Sequence, residues 1–366
     1  MLYFDHASAT PLESAARHAM TAAMSDAWGN PQSAHVEGRR ARAVLERAAI
    51  QAAELIGCAP PELRLYPSAT TALDDVLHVV LDACAGPVVT TAIEHPAVVQ
   101  PLRDAERRGR ELRWLPTPAG ELGVPSPAMC ADAAVLVLSA LNHELGTAPD
   151  LSAWLAAAPS AVVVIDGVQA ASWLPFAPWL DERCFVVIAS HKLGGPGGAA
   201  ALRCPSSWLP AWAKGREVPR VSPIAAAGFG AACELRRSGR DAALARARQL
   251  GRRLRDGLLA IAPEVHDDAG PSWLGPIVNV AVRGCEHRSL DAELDLEGLA
   301  VARGSACRRG VDEHSEVVAR AHPDEPWRAR SCVRFSLGWP TTTQEVDAAL
   351  ACFARRIVVT RTEELH

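Results

Sequence analysis

Four short apolar runs, each rich in β-branched residues and each followed by polar side chains, decide the fold class of this 366-residue chain. Predicted helices separate the runs, and strands that alternate with helices form a mainly parallel sheet. Because the carboxyl ends of parallel strands meet at one edge, open α/β sheets bind their ligands there. The residues that end the runs are His95, Asn142 with His143, Asp166, and His191 with Lys192. The sequence thus predicts an α/β fold with a polar site at that edge.

The fourth run, residues 185–189, leads into Ser190, His191 and Lys192 and then into a glycine-proline tract that ends the strand. An amine at the end of a buried strand is partly desolvated, which lowers its pKa and makes it a nucleophile toward carbonyl groups. Pyridoxal phosphate (PLP) is the cofactor that most often needs such a lysine. A solvated loop lysine is the alternative, and the neighbouring strand ends favour the cofactor.

Asp166 closes a run of β-branched residues, so it is not a random surface charge. It is either half of a buried ion pair or held in place for a ligand. Gln169 would point to the same place if a helix begins at Gly167, and this favours the ligand. For His95, a satisfied core or loop histidine is the alternative interpretation.

A small hydroxyl-rich turn, Ser68 to Thr71, lies between a predicted strand and a helix that begins near Ala72. Hydroxyls and backbone N–H groups at such a turn can bind a phosphate. Ordinary capping of the helix by Ser68 or Thr70 explains the same pattern. Both interpretations remain open from these residues alone.

The C-terminal part offers a thiol and an arginine. Cys307 follows small residues and precedes Arg308 and Arg309, and partial exposure beside positive charge lowers the pKa of a thiol. Arg334 alternates with apolar neighbours on a predicted half-buried strand, where an arginine usually has a carboxylate to bind. We therefore expect a reactive cysteine and an anion-binding arginine.

Composition excludes several classes of protein. Apolar residues make up 49% of the chain and the net charge is −5, which predicts a large core and no direct nucleic-acid partner. The 10 cysteines are scattered without a C-x-x-C pair, so we expect no metal site and no disulfide framework but reduced thiols in a cytoplasmic protein. No signal peptide and no apolar run of about 18 residues are found, so no membrane span is expected.

The length of the chain suits two domains. A turn-rich stretch from Pro263 to Pro276 marks the boundary. We expect a large cofactor-binding domain at residues 15–262 and a small α+β domain at residues 263–366, which carries the Cys307 segment. Residues 1–14 are expected to pack against the small domain.

Six motifs occur in the order found in one known family: YFDHASATP, IEHPAV, DGVQA, SHKLGGPGG, RGSAC and VRFSLG. From Tyr3 to about Asp347 the chain resembles the cysteine desulfurases of the PLP-dependent class V aminotransferase superfamily. The resemblance implies the fold type I architecture, with a mainly parallel seven-stranded sheet in the large domain and a smaller α+β domain. It also implies a homodimer. The long separation of Cys307 and Arg334 is similar to that of the group whose cysteine carries sulfur on a long loop.

The resemblance also implies catalytic and substrate-binding roles. Lys192 would hold PLP and take a proton from the substrate. His95 would stack on the cofactor ring and move the proton of the substrate thiol. Cys307 would accept the sulfur. Arg334 would bind the substrate carboxylate, with Asn142 near the substrate.

Further residues would bind the cofactor itself. By the resemblance, Asp166 would pair with the protonated ring nitrogen, and Gln169 with His143 would lie near the ring hydroxyl. The residues expected at the phosphate are Thr70, Thr71, Ser190 and His191.

The chain departs from the family pattern at several of these positions. Ala189 stands where the family has a phosphate-binding serine, although Ser190 is adjacent. His143 stands where the family has an asparagine. The tract Arg308–Gly310 is bulkier and more basic than the small serines of the family. These changes bear on cofactor affinity and on the choice of partner.

A further departure concerns the contact between subunits. The family's R-S-G-T segment, which sends a threonine into the partner subunit's phosphate site, is not recognisable between Lys214 and Gly228. Either Arg216 or Arg220 replaces it, or the contact is absent.

The activity implied by the resemblance is cysteine desulfuration. L-cysteine would yield L-alanine and a persulfide on Cys307, and the sulfur would pass to an acceptor protein or other carrier that the sequence does not specify. The alternatives are other PLP reactions on the same fold, namely cysteine or cystine C–S lysis, selenocysteine lysis and transamination, or a PLP-binding scaffold for sulfur transfer. Cys307 favours the desulfurase, because a lyase or an aminotransferase does not need a thiol there.

Overall fold

The computed structural model describes residues 1–123, 125–213, 220–304 and 314–363 of the chain. Its strands are β1 (Leu2–Tyr3), β2 (Leu63–Tyr66), β3 (Val88–Thr91), β4 (Leu112–Leu115), β5 (Val135–Ser139), β6 (Val162–Asp166), β7 (Cys184–Ala189), β8 (Ala200–Arg203), β9 (Val265–Asp267), β10 (Ile277–Val282), β11 (Leu299–Ala300) and β12 (Cys332–Ser336). Its helices are α1 (Ser14–Asp26), α2 (Val36–Ile56), α3 (Ala69–Ala83), α4 (Pro96–Arg107), α5 (Pro127–Cys130), α6 (Leu151–Ala157), α7 (Leu209–Ala213), α8 (Pro223–Leu259), α9 (Leu290–Leu296), α10 (Glu316–Ala321), α11 (Trp327–Ser331) and α12 (Thr343–Glu363). None of the helices described is long and apolar enough to pass through a membrane.

Within the described residues, seven strands form the large sheet in the order β2-β8-β7-β6-β5-β3-β4. Neighbouring strands from β4 to β7 pair in parallel, and β8 is antiparallel to both β2 and β7. The continuous apolar runs of β5 and β7 are buried on both faces, as strands covered by helices on each side must be. The predicted α/β fold with a mainly parallel seven-stranded sheet is confirmed.

A second sheet lies in the C-terminal part, with the order β12-β10-β9 and antiparallel pairing. Its apolar side chains pack with those of α8 and α12 in one core, which includes Leu254, Val280, Phe335 and Phe353. Because α8 also packs along α1 and α2, this one 37-residue helix joins the two parts of the molecule. The exact boundary at residue 263 stays a prediction.

The N-terminal segment contacts both parts. Strand β1 pairs with β11, and Ser336 donates its N–H to Phe4 O at 2.6 Å beside the small sheet. A few residues later, Thr10 donates its N–H to His191 O at 2.9 Å, beside the large sheet. The segment therefore runs across the site edge predicted from the sequence.

His6 within this segment gives the fold an acid-sensitive point. Its ring is 8% exposed and lies so close to Gly338 that a Cβ added there would collide with His6 Cε1. Burial lowers the pKa of His6 to about 4, with Asp5 opposing and Arg236 adding to the shift. The unfolded chain therefore binds this proton more tightly, and stability is lost as pH falls from 6.5 towards 4.

We expect His6→Asn to reduce the acid sensitivity of folding. Asparagine keeps a polar side chain at this position but has no proton to gain between pH 7 and 5. The His6 contribution lost at pH 5 amounts to about 2 kcal/mol. Denaturant unfolding at both pH values measures it, and an equal acid-induced loss in both proteins would contradict the assignment.

Candidate active site

A cavity of about 210 Å³ opens at the carboxyl edge of the large sheet. The ends of four strands, the first turn of α3 and the N-terminal segment form its walls. Six predicted site residues that line it are His95, His143, Asp166, Gln169, His191 and Lys192. Thr70 and Arg334 also line it, so most of the residues predicted from strand ends lie in one cavity.

Lys192 occupies a single 3₁₀ turn, Ser190–Lys192, directly after β7. Its Nζ donates to Ala7 O and to Ser8 O, each at 2.6 Å. Ser172 Oγ donates to Lys192 O at 3.1 Å and so fixes the backbone of the turn. The carbonyls of Ala7 and Ser8 were not expected from the sequence, because a backbone acceptor leaves no side-chain signal.

Asp166 is the last residue of β6 and is 5% exposed. Its Oδ1 accepts the N–H of Val168 at 3.0 Å. Burial raises the pKa of Asp166, although the Val168 N–H, His143 and Lys192 oppose the shift. Within the described ranges no lysine or arginine forms an ion pair with it, so the buried ion-pair alternative has no support. A carboxylate held this way suits a cationic ligand atom.

The first turn of α3 contains a side-chain cap of the helix and also borders the cavity. Ser68 Oγ accepts the N–H of Thr71 at 3.1 Å and lies 2.8 Å from Thr71 Oγ1. The hydroxyl of Thr71 thus has a partner within the turn, and Thr71 does not line the cavity, so its phosphate contact stays a prediction. Thr70 and His191 do line it, next to a helix N-terminus whose N–H groups and dipole attract anions.

Two other predicted residues do not line the cavity. Ser190 is fully buried, and a Cβ added to Gly195 would collide with its Oγ, which has no hydrogen-bond partner among the described residues. Asn142 donates to Ile93 O at 2.8 Å, and its Oδ1 accepts N–H groups of the loop after β5. Neither side chain lines the cavity, so the roles of Ser190 at the phosphate and of Asn142 at the substrate stay predictions.

His95 caps the N-terminus of α4. Its Nδ1 accepts the N–H of Ala97 at 3.1 Å, which assigns the proton of the neutral ring to Nε2. Burial lowers the pKa of His95 to about 3, and electrostatic interactions with His143, Lys192 and Arg334 add to the shift. The ring is therefore neutral at physiological pH, and its position in the cavity suits stacking on a flat ligand.

Arg334 on β12 is 2% exposed and is tied to the N-terminal segment. Its Nη2 donates to Asp5 Oδ1 at 3.0 Å and to Ser8 Oγ at 2.8 Å, and its Nη1 donates to His143 O at 2.8 Å. The carboxylate expected for this arginine is thus present within the chain. Its buried Nε has no hydrogen-bond partner in the described part of the structure, which leaves a donor for an incoming carboxylate.

The donor set of the cavity fits PLP. An amine at Lys192 matches an aldehyde, the buried Asp166 carboxylate matches a protonated ring nitrogen, and the α3 N-terminus with His191 matches a phosphate. Gln169, whose Nε2 donates to Ala7 O at 2.7 Å, lies beside Asp166 in the same wall. Sequence reasoning missed Ser8 and Glu144, which hold Arg334 and His143.

Part of the predicted site lies outside the described residues. Cys307, Arg308 and Arg309 fall within residues 305–313, and Arg216 falls within residues 214–219. The expectations for these residues stay predictions.

Comparison with known proteins agrees with this architecture. The family model for class-V aminotransferases matches residues 2–218 and 219–349. An IscS-like cysteine desulfurase of Mycobacterium tuberculosis is 32% identical over 376 residues, which cover 96% of this chain and 94% of that protein. Cysteine desulfurase IscS of Shewanella loihica is 30% identical over 378 residues, or 97% of this chain and 92% of that protein.

A solved structure of a NifS-like protein shares the fold. It superimposes with a TM-score of 0.83 at 20% identity, and the match covers 98% of this chain and 99% of that one. Because the family model matches almost its whole length, this chain belongs to the class-V aminotransferase family.

Proposed function

We propose that this chain is a PLP-dependent cysteine desulfurase that converts L-cysteine to L-alanine and leaves the sulfur as a persulfide on Cys307. The observation that carries the proposal is the cavity in which the Lys192 amine, the buried Asp166 carboxylate and the α3 N-terminus converge. The names of the relatives from Mycobacterium and Shewanella support the choice of substrate.

Each residue of the cavity has a task in this reaction. When bound, PLP supplies an electron sink that weakens the Cα–H and Cβ–S bonds of an amino acid. Lys192 holds the cofactor and then takes the Cα proton at Nζ. Asp166 keeps a proton on the ring nitrogen, His95 covers the ring face, and Arg334 orients the substrate carboxylate.

Cys307 is the residue that separates a desulfurase from the other PLP reactions. Its thiolate would attack the substrate sulfur, and Arg308 and Arg309 favour that thiolate. Other cysteines are poorly suited, because burial raises the pKa of Cys58 and of Cys184 to about 12. The lyase and transamination alternatives leave this thiol without a task.

A homodimer is part of the proposal. Near the end of α1 and the start of α2, large apolar side chains are exposed, with Met24 at 56%, Trp28 at 70% and Val36 at 48%. Exposed apolar clusters of this kind suit a second copy of the chain. Sedimentation of the PLP-loaded protein tests this, and a fully active monomer would contradict it.

Two further assignments complete the proposal. The persulfide on Cys307 passes its sulfur to an acceptor protein, whose identity the cavity does not specify. We place the protein in the cytoplasm, where the nine cysteines that are free in the described residues stay reduced.

The test uses L-cysteine and the variants Cys307→Ser and Cys84→Ser. The parent protein should form alanine, and brief exposure to L-cysteine should add about one sulfur to the peptide that holds Cys307. Cys307→Ser should still bind PLP but form little alanine, because no thiolate takes the sulfur. Cys84→Ser, at a half-buried thiol whose pKa burial raises, should behave as the parent. Pyruvate as the main product, or alanine formed by Cys307→Ser at the parent rate, would make a lyase the better assignment.

A further inference from the structure

His95 is poorly equipped to take a proton from the substrate. Its Nδ1 lone pair already accepts the N–H of Ala97, and its Nε2 already carries the proton of the neutral ring. A second proton would break this helix cap and place a cation next to Lys192 and Arg334. A group whose ring nitrogen has no hydrogen-bond partner is better placed to accept the proton of the substrate thiol.

A second imidazole lies beside it. His143 lines the same cavity, and its ring meets that of His95 edge-to-face with 4.9 Å between ring centroids. His143 Nε2 lies 3.4 Å from Glu144 Oε1. His143 Nε2 is buried and makes no hydrogen bond in the described part of the chain, so Glu144 lies at ion-pair distance from an unused ring nitrogen. If Nε2 carries the ring proton next to this carboxylate, the lone pair lies on Nδ1, which also has no hydrogen-bond partner among the described residues.

Glu144 is held as a carboxylate next to His143. It is 2% exposed, and its Oε2 accepts a hydrogen bond from Ser315 Oγ. Burial alone would raise the pKa of Glu144, but the contacts from His143 and Ser315 outweigh burial, and the pKa is lowered. A buried carboxylate next to an imidazole orients the ring and stabilises its protonated form, as in Ser-His-Asp sites.

We propose that His143, with the Glu144 carboxylate at ion-pair distance from its ring, carries the proton of the L-cysteine thiol in the reaction proposed above. The thiol proton moves to His143 Nδ1, and the Cys307 thiolate bonds to the substrate sulfur. The Cβ–S bond breaks with its electron pair left on carbon, and the proton held by His143 completes the methyl group of alanine. The negative charge of the Cys307 thiolate ends on the persulfide, so atoms and charges balance.

The surroundings of His143 tolerate this proton. The charged and titratable groups that face it are Glu144, Asp166, His95, Lys192 and Arg334. Two carboxylates offset the two cations, and His95 is neutral. The proton is thus accepted next to a nearby anion and not in a purely cationic pocket.

The decisive variant is His143→Asn in the PLP-loaded protein. Asparagine restores the amide that the family carries at this position but cannot carry a proton. Alanine formation from L-cysteine should fall by roughly 10²- to 10⁴-fold. PLP affinity, measured by absorbance titration, should stay near that of the parent. A rate close to the parent would show that His143 only replaces the family's asparagine and would overturn the inference.

Chemical rescue separates proton transfer from packing. His143→Ala leaves space for a free imidazole, and added imidazole should restore alanine formation by about tenfold or more if the lost function is proton transfer. Rescue should grow with the basicity of substituted imidazoles of equal size. A rate unaffected by any imidazole, with melting temperature and PLP titration unchanged, would assign His143 a structural role instead.

Two controls show whether a negative result contradicts the role of His143 or the proposed function. β-Chloro-L-alanine loses chloride and has no thiol proton to transfer, so the parent and His143→Asn should release chloride at similar rates. A parent protein that is inactive on both β-chloro-L-alanine and L-cysteine would refute the proposed function itself. His95→Phe keeps an aromatic ring over the cofactor and should lose about tenfold or less. If His95→Phe abolishes alanine formation while His143→Asn preserves it, His95 carries the proton.

Discussion

Lys192→Ala is expected to abolish both the visible absorbance of bound PLP and the formation of alanine from L-cysteine. The same amine would hold the cofactor and take the Cα proton, so we expect a rate loss of at least about 10⁴-fold. Folding should survive, because the substitution removes two hydrogen bonds, to Ala7 O and Ser8 O, worth about 1 kcal/mol each. Absorbance, turnover and melting temperature measured on one preparation separate these effects.

The composition of the chain offers a matched control. Lys192 and Lys214 are its two lysines. Borohydride reduction of the loaded protein should fix the cofactor mass on the peptide that holds Lys192, and Lys214→Ala should leave absorbance and turnover unchanged. If the cofactor mass were found on the Lys214 peptide, or if Lys192→Ala kept its absorbance, the assignment of Lys192 as the PLP-binding lysine would be contradicted.

The polar residues at the strand ends predicted which side chains lie together at the cavity, because their positions depend on sheet geometry. Parallel strands bring their carboxyl ends together whatever the loops do, so His95, His143, Asp166 and Lys192 could be placed at one cavity from the sequence. The alternation of strands and helices predicted the mainly parallel sheet, and its seven strands were implied by the family resemblance.

The strand-end pattern does not determine the direction of a side chain that has two possible directions. Asn142 and His143 are adjacent, and a loop turns one to the backbone and the other to the cavity. Thr71 has a local hydrogen-bond partner in Ser68, and Ser190 Oγ packs against Gly195, and composition reveals neither contact. Motif position alone cannot distinguish a hydroxyl that binds a ligand from one that secures a turn.

The N-terminal segment shows a different limit. Ala7 and Ser8 reach Lys192 through backbone carbonyls, and Asp5 with Ser8 holds Arg334 from the opposite end of the chain. Such contacts depend on the long-range path of the chain and not on a local pattern. A carboxylate could be expected for Arg334, but that it is Asp5 could not.

Asp166 offers a test in which function and stability are expected to change in opposite directions. The carboxylate is buried, and in the described ranges it has no lysine or arginine partner within ion-pair distance. Its charge is therefore costly without a cationic ligand, and the raised pKa reflects that cost. A residue kept for folding alone would show the reverse, since removing one partner of a buried ion pair is strongly destabilising.

Asp166→Asn should accordingly lower turnover by roughly 10²- to 10³-fold or more, because an amide cannot keep a proton on the ring nitrogen. The amide oxygen of the substituted side chain can still accept the Val168 N–H, so without PLP the variant should melt at or above the parent temperature at pH 8. Added PLP should raise the melting temperature of the parent more than that of the variant, since the lost ion pair weakens binding. Thermal melts with and without PLP, together with alanine formation, measure all three quantities. A variant that is much less stable yet keeps near-normal turnover would return Asp166 to a structural role.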